Sequence, residues 1–547
     1  MSMSKNMNII FNKNEDNMKL LVSAMKQKKH IVEMGGGQKN INKQHEKGKL
    51  TARERLNKIF DTDSTILDLG TFAAEGLYGE YGGCPSAGVV VQIGYINGKI
   101  CIVVANDSTV KSGAWFPMTA KKNLRAQEIC MNNAIPIIYL VDSAGVFLPL
   151  QDEIFPDKEH FGRQFRNNAI ISAMGIPQIS AIMGSCVAGG AYLPIMCDEA
   201  LIVEKTGSVF LAGSHLVKAA IGENIDNEKL GGAHTHCDIS GVTDYKCKND
   251  TEAVQIIREL ISNIEEKKQH SFSRIESKDP AKNINEIYGI LPKERDKGYD
   301  MKHILERIVD DSYIREYKAD YGKSLICAYV RIDGWSVGII ANQRKIVKNG
   351  KGEMQLGGVI YSDSADKAAR FIMNCNQKGV PLLFIQDVNG FMVGSKAEEN
   401  GIIKDGAKMV NAMSNSVVPK FTLIIGNSFG AGNYAMCGKA YDPDLILAWP
   451  TAQIAVMGGE QAAKVILNLE KNKLKKDNKV LTGAEKSKLL NKITDKYNNQ
   501  MQPYYAAARL WVDEIIDPKD TRKYISMGIE MANNNKRKDF KTGVIQT

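Results

Sequence analysis

Two short stretches of this 547-residue chain carry the residue types and spacing on which chemistry could be built. One reads Gly184-Ser-Cys-Val-Ala188-Gly189-Gly190-Ala191-Tyr192; the other reads Gly426-Asn-Ser-Phe429-Gly430-Ala431-Gly432-Asn433-Tyr434. Each ends an apolar, strand-like run and opens a helix. Glycines there let the backbone turn sharply and let a ligand approach closely. The first amides of the helix that follows have no intrahelical acceptor, and the helix dipole reinforces them. Two such amides aimed at one point form an oxyanion hole, worth about 3 kcal/mol per donor in a transition state. A single glycine pair is more simply read as a device for tight helix–sheet packing. Two copies at matching places, each beneath a Pro…Asp…Gly loop (Pro136 to Gly145 and Pro381 to Gly390), favour chemistry.

Other constellations are weaker. Neither glycine bend carries a Glu in its following turn, so the pair of positioned carboxylates that a hydratase needs is missing. His234-Thr-His236-Cys237 has ligand spacing only on a strand, where i and i+2 share a face, and no second cluster completes a tetrahedral set, so no metal is expected. Asp152-Glu153 with Asp157-Lys-Glu159-His160 reads as a solvated or gating loop. Ala24-Met25-Lys26 has the wording of a biotinylated lysine but lies in a helical pattern with no surrounding hairpin domain, so biotinylation is not expected there.

The elements that must position the bends repeat. Asp142 and Asp387, Gly190 and Gly432, Ala105-Asn106 and Ala341-Asn342, and Val209–Gly213 and Ala455–Gly459 follow one another in the same order at a near-constant offset. Each unit alternates short apolar runs with helical patterns, which indicates an α/β fold with buried parallel strands. In the first unit the strands are Gly88–Tyr95, Ile100–Ala105, Pro136–Val141 and Ile176–Met183, and the helices are Thr119–Asn132 and Phe161–Met174. Helices at Ser364–Gln377 and Gly406–Ser416 correspond in the second. The polar stretch Glu265–Asn285 marks the boundary, giving a helical arm over 1–45 and units over 46–280 and 281–547. Asn468–Asn498 reads as a basic, solvated helical hairpin.

Composition narrows the class. The chain is 44% hydrophobic and 24% charged, with a formal net charge of +9, a dilute excess that suits anionic ligands without implying nucleic acid. Ten cysteines without a CxxC and no signal-peptide pattern point to a reducing, cytoplasmic setting. The most apolar stretches, Ile179–Cys197 and Phe421–Cys437, are broken by glycines and polar residues, so no membrane span is expected.

At this point the sequence resembles the β (carboxyltransferase) subunit of biotin-dependent acyl-CoA carboxylases, in its methylcrotonyl-CoA branch. Lys49-Leu-Thr-Ala-Arg-Glu-Arg55, Ala105-Asn-Asp-Ser-Thr-Val-Lys111, Tyr139-Leu-Val-Asp-Ser-Ala144-Gly145, Phe155-Pro-Asp-Lys-Glu-His-Phe-Gly-Arg163, Gly390-Phe391-Met-Val-Gly394 and Val456-Met-Gly-Gly-Glu-Gln carry it, with both glycine bends. The resemblance implies a tandem crotonase (ClpP/crotonase) fold. Gly189 and Gly190, with Ala188, Ala191, Ala144, Gly145 and Lys111 about them, would hold the acyl-CoA thioester as it becomes an enolate. Ala431 and Gly432, beside Phe429, Gly430, Asn433, Gly390 and Phe391, would hold the ureido oxygen of carboxybiotin. Phe429 stands where other branches carry Tyr. The base would come from the cofactor, which explains the lack of a Ser/His/Asp triad. Lys111, Arg125, Lys345, Lys348 and Lys351 are candidates for the CoA phosphates.

The implied partners are an acyl-CoA, a biotin carboxylase/biotin carboxyl carrier subunit, and further copies forming a hexamer (trimer of dimers) in which the two holes face each other between subunits. The expected substrate is 3-methylcrotonyl-CoA. Propionyl-CoA or geranyl-CoA carboxylation, a glutaconyl-CoA decarboxylase role and a non-catalytic assembly scaffold are the alternatives.

Overall fold

The computed structural model describes residues 5–155, 157–187, 189–265, 272–476, 482–536 and 538–546. The first unit is an eight-stranded sheet: β1 (Leu67–Leu69), β2 (Val89–Ile96), β3 (Lys99–Asn106), β4 (Ile137–Ser143), β5 (Gln178–Val187), β6 (Glu199–Val203), β7 (Ser208–Phe210) and β8 (Tyr245–Cys247). The order is β1-β2-β3-β4-β5-β6-β8, with β7 pairing the far end of β5. Pairing is antiparallel as far as β3 and parallel from there on. Every residue of β4 is buried, because helices cover both faces of a parallel sheet.

The second unit repeats the plan with β9 (Arg315–Glu316), β10 (Leu325–Ile332), β11 (Trp335–Asn342), β12 (Leu382–Val388), β13 (Lys420–Phe429), β14 (Leu445–Ala448), β15 (Gln453–Ala455) and β16 (Glu514–Ile515). Its order is β16-β14-β13-β12-β11-β10-β9, with β15 on the end of β13. The helices that matter below are α1 (Lys5–Glu33), α2 (Pro117–Asn133), α3 (Phe161–Ala173), α4 (Gly189–Ile195), α5 (Ser362–Lys378), α6 (Ile402–Ser414), α7 (Ala431–Ala435), α8 (Gly459–Lys476), α9 (Gly483–Met501) and α10 (Thr521–Ala532). Of the hairpin expected at Asn468–Asn498, the two helices α8 and α9 are present and pack together, and residues 477–481 lie outside the described residues.

Equivalence between the units extends to single hydrogen bonds. Thr119 and Ser364 cap α2 and α5 by accepting the amides of Phe116 and Tyr361 at 3.0 and 2.9 Å. Three residues on, Lys122 and Lys367 are buried and donate to the carbonyls of Val89 (2.6 Å) and Leu325 (3.0 Å), at the starts of β2 and β10. Asn106 and Asn342 accept the amides of Asp142 and Asp387 at 3.4 and 3.1 Å. In both sheets the register slips at these aspartates, between Val141 and Ser143 and between Gln386 and Val388. A bulge of this kind re-aims a side chain at the end of a strand.

The two units interlock. Arg125 of α2 forks onto Asp513 with Nε and Nη2 at 2.9 and 2.7 Å and donates to the carbonyls of Pro443 and Asp444. Thr71 donates to Glu514 through its amide and hydroxyl (3.0 and 2.8 Å), and Tyr95 to Glu530 of α10 (2.8 Å). The arm helix α1 spans the join: Asn14 pairs with the backbone of Gly289 and Lys293, and Lys29 with Asp68 at 2.6 Å.

Candidate active site

Both glycine bends form where a parallel strand gives way to a short helix, β5 to α4 and β13 to α7. Behind each stands a buried aspartate at the bulge. Asp142 pairs with Lys49 Nζ at 2.6 Å and Arg55 Nη1 at 3.4 Å, while Arg55 Nε reaches Asp250 at 2.8 Å. Asp387 pairs with Arg344 Nε at 3.2 Å, accepts the Tyr299 hydroxyl at 2.9 Å and accepts the Asn427 amide at 2.9 Å. Burial and the adjacent carboxylate push the Tyr299 phenol well above its ordinary pKa, which keeps it a donor. The two units thus hold one carboxylate in one place by different cations.

The first bend lies against the loop after β4. Gly190 is buried, and a Cβ there would stand 3.7 Å from Gly145 Cα, so the two glycines face each other. Gly145 adopts φ +86°, with its amide on Ser143 Oγ (3.2 Å) and its carbonyl accepting Trp115 N (2.8 Å). Ser143 Oγ in turn donates to the Gly113 carbonyl at 2.7 Å. Phe161, first residue of α3, fills the side of Gly189 where a Cβ would go. Ala191 is buried, Ala144 is exposed with its amide on Ser112, and Lys111 is exposed in a left-handed turn. Ala188 lies outside the described residues.

The second bend is held by a polar chain. Gln386 Nε2 donates to the Met436 carbonyl (2.7 Å), Ser428 Oγ donates to Gln386 Oε1 (2.5 Å), and Asn433 Nδ2 donates to Ser428 Oγ (2.7 Å). Gly430 takes φ +53° with its amide on the Ala455 carbonyl at 3.0 Å, a conformation open to glycine. Among the described residues the amides of Ala431 and Gly432, like those of Gly189 and Gly190, meet no protein acceptor. This bend borders a cleft of about 380 Å³ whose walls include Ser428, Gly430, Asn433, Tyr434, Val456 and Tyr505. Phe429 is buried beneath it against Gly458. Gly390 lies under Gly432, and Phe391 packs on Gly406 of α6.

Several residues singled out in the sequence lie elsewhere. Arg125 is a buried joint between the units, held by Asp513, rather than a surface cation for phosphate. Lys345 is engaged by Asp300 at 2.5 Å, and Lys348 and Lys351 are exposed around a two-stranded turn. His234 and His236 sit on a helical turn, not a strand, bonded to Asp238 and to the Val209 carbonyl at 2.7 Å each. Lys26 lies on α1 and pairs with Asp517 at 3.1 Å. Ser143, Ser428, Gln386, Lys49 and Arg344 were not singled out. Ser143, Ser428 and Lys49 stood inside quoted motifs, but nothing local marked them as braces.

Two matching folds, each presenting unpartnered amides at a strand–helix bend, define a duplicated anion-stabilising scaffold. Residues 43–544 match the family described as carboxyl transferase domain, and the chain belongs to it. It is a carboxyltransferase with the tandem crotonase-like α/β architecture. It is 46% identical to the mitochondrial methylcrotonoyl-CoA carboxylase beta chain of Dictyostelium discoideum, over 95% of this chain and 86% of that one. It is 44% identical to the biotin-dependent 3-methylcrotonyl-coenzyme A carboxylase beta1 subunit of Mycobacterium tuberculosis, over 94% of each. Among solved structures, the beta subunit of Pseudomonas aeruginosa geranyl-CoA carboxylase superposes with a TM-score of 0.85 at 34% identity, covering 98% of this chain and 97% of that one. Among the described residues no helix is long and apolar enough to cross a membrane.

Proposed function

We propose that this chain moves a carboxyl group from carboxybiotin, carried by a partner subunit, to 3-methylcrotonyl-CoA. The observation that carries the reading is the pair of matching bends whose amides meet no protein acceptor among the described residues. Carboxybiotin, when bound, supplies the carboxyl group and the ring nitrogen that takes the substrate's proton. Residues 46–280 form the acyl-CoA unit and residues 281–547 the carboxybiotin unit, with residues 1–45 as the arm. The Gly189 and Gly190 amides receive the thioester oxygen as charge builds on it, and for this substrate that charge is relayed from the γ carbon through the conjugated double bond. The Ala431 and Gly432 amides receive the ureido oxygen, and the open, partly aromatic cleft beside them fits a flat bicyclic ring. Fixed amides need no reorganisation at the moment of reaction, which is what makes such donors effective.

A second copy of the chain completes the site. Apolar side chains stand exposed at matching positions around both bends: Tyr192 and Leu211 in the first unit (50% and 65%), Tyr434 and Val456 in the second (53% and 72%). Exposed apolar surface repeated beside two halves of one site marks a face meant to be covered. Closure in pairs, and three pairs in a hexamer, would bring one hole opposite the other. Ten unpaired cysteines support a reducing compartment, taken here as the cytoplasm.

The test is carboxylation of an acyl-CoA panel by the purified chain with a carboxylated biotin carrier. The reading expects 3-methylcrotonyl-CoA to give the highest kcat/KM. A preference for propionyl-CoA or geranyl-CoA would reassign the branch, and the absence of transfer to any thioester would overturn the function.

A further inference from the structure

A cleft of about 370 Å³ opens between α2 and α3, and the second unit closes it with Lys439 and Leu510. Lys121, Arg125, Arg163, Arg166 and Lys439 line it against two carboxylates, Glu128 and Glu159. Arg125 at its floor is neutralised by Asp513 and Glu128, Lys439 also reaches Asp513, and Lys121 donates to the Arg509 carbonyl at 2.8 Å. Burial, with a neighbouring arginine adding to it, pushes both lysines below their ordinary pKa.

Arg163 and Arg166 differ from these three. They stand one turn apart on the same face of α3, and among the described residues neither meets a carboxylate or a carbonyl. Asn167 lines the same cleft, and its side-chain amide reaches the solvent there without a hydrogen-bond partner among the described residues. A ligand that accepts from Asn167 and from two guanidinium forks would engage three donor groups that no described residue uses. An anion with several oxygens fits, because guanidinium binds phosphate through two parallel N–H donors.

We propose that this cleft is a phosphate site, binding a phosphate ester dianion or a diphosphate between Arg163, Arg166 and Asn167. Such an anion comes either from the CoA moiety of the substrate, in which case the assignment rests on the function proposed above, or from a free diphosphate. The site joins the two units and shares α3 with the first glycine bend, since Phe161 of that helix packs on Gly189.

The experiment is calorimetric titration of the full chain with inorganic pyrophosphate, with and without saturating CoA. Wild type is compared with the R163Q/R166Q double variant and with R163K/R166K, which keeps both charges. Pyrophosphate affinity is expected to fall about 100-fold in the glutamine variant, roughly tenfold per arginine. It should recover in part with lysine and weaken as salt rises. Displacement by CoA assigns the site to the substrate's own phosphates, and undiminished binding beside CoA assigns it to a free diphosphate. Equal pyrophosphate affinity in wild type and glutamine variant, or none in either, overturns the proposal. Because the readout is binding alone, it stands apart from whether 3-methylcrotonyl-CoA is carboxylated.

Discussion

The carboxylate of Asp142 occupies the space that a side chain on Gly184 would need, and a Cβ there would overlap Oδ1. Asp387 stands in the same relation to Gly426. Each glycine bend is therefore shaped from behind by a buried carboxylate, which is itself fixed by a cation from a distant segment. Leaving a buried charge unpaired costs about 3–5 kcal/mol. Asp142→Ala, which strands Lys49, is expected to lower unfolding free energy by about that amount, read by urea denaturation. A loss below 1 kcal/mol would show the pair to be unimportant to the bend.

Gly190→Ala separates catalysis from folding. The added methyl meets Gly145 Cα at 3.7 Å, an ordinary contact, and Gly190 has no left-handed φ to strain. It would crowd the space before the amides. Thermal unfolding is expected to change little while kcat/KM falls about 100-fold, the scale of one lost oxyanion donor. Unaltered turnover would remove Gly190 from the site and favour a scaffold role.

Arg125→Leu should uncouple the two units. Asp513 is fully buried between Arg125 and Lys439, and these cations hold its carboxyl well below the ordinary range. Because the folded pKa is depressed, the stability it lends is complete above about 3.8 and drains away as pH falls through that range. The variant is expected to lose several kcal/mol at neutral pH, with much less difference from wild type near pH 2, as measured by denaturation at both pH values.

Glu514 and Lys122 give stability a pH dependence of opposite sign. Burial raises the Glu514 carboxyl from 4.5 to about 7, so the folded chain holds a proton that the unfolded chain releases, and stability falls as pH rises between those values. Burial lowers Lys122 from 10.5 to about 7, so the unfolded chain holds the extra proton, and stability climbs from pH 7 upward. Melting temperature against pH should flatten below 7 in Glu514→Gln and above 7 in Lys122→Met. Unchanged slopes in both variants would contradict this pairing of groups and effects.

The strands and both bends were legible because buried parallel strands leave continuous apolar runs and glycine bends leave fixed wording; β2, β3, β4 and α3 fall within about two residues of the expected spans. The braces were not legible. Lys49 meets Asp142 only across the fold, and nothing local to either names the other. Arg125, Lys122 and Lys367 look like the polar side of a helix by pattern, yet all three are buried against carbonyls or a carboxylate of another segment. Pattern reports polarity, not whether a partner waits inside. His234 and His236, which would share a face only on a strand, sit on a helical turn.

The central claim is that unpartnered backbone amides at two matching bends, with no side-chain base, hold the two oxygens on which charge develops. A structure of the full assembly with a CoA thioester and biotin tests it directly. The account expects the thioester oxygen at about 2.7–3.1 Å from the Gly189 and Gly190 amides, and the ureido oxygen equally close to those of Ala431 and Gly432. Both oxygens lying away from these amides, or a carboxylate or histidine of the chain against the carbon that loses its proton, would contradict it.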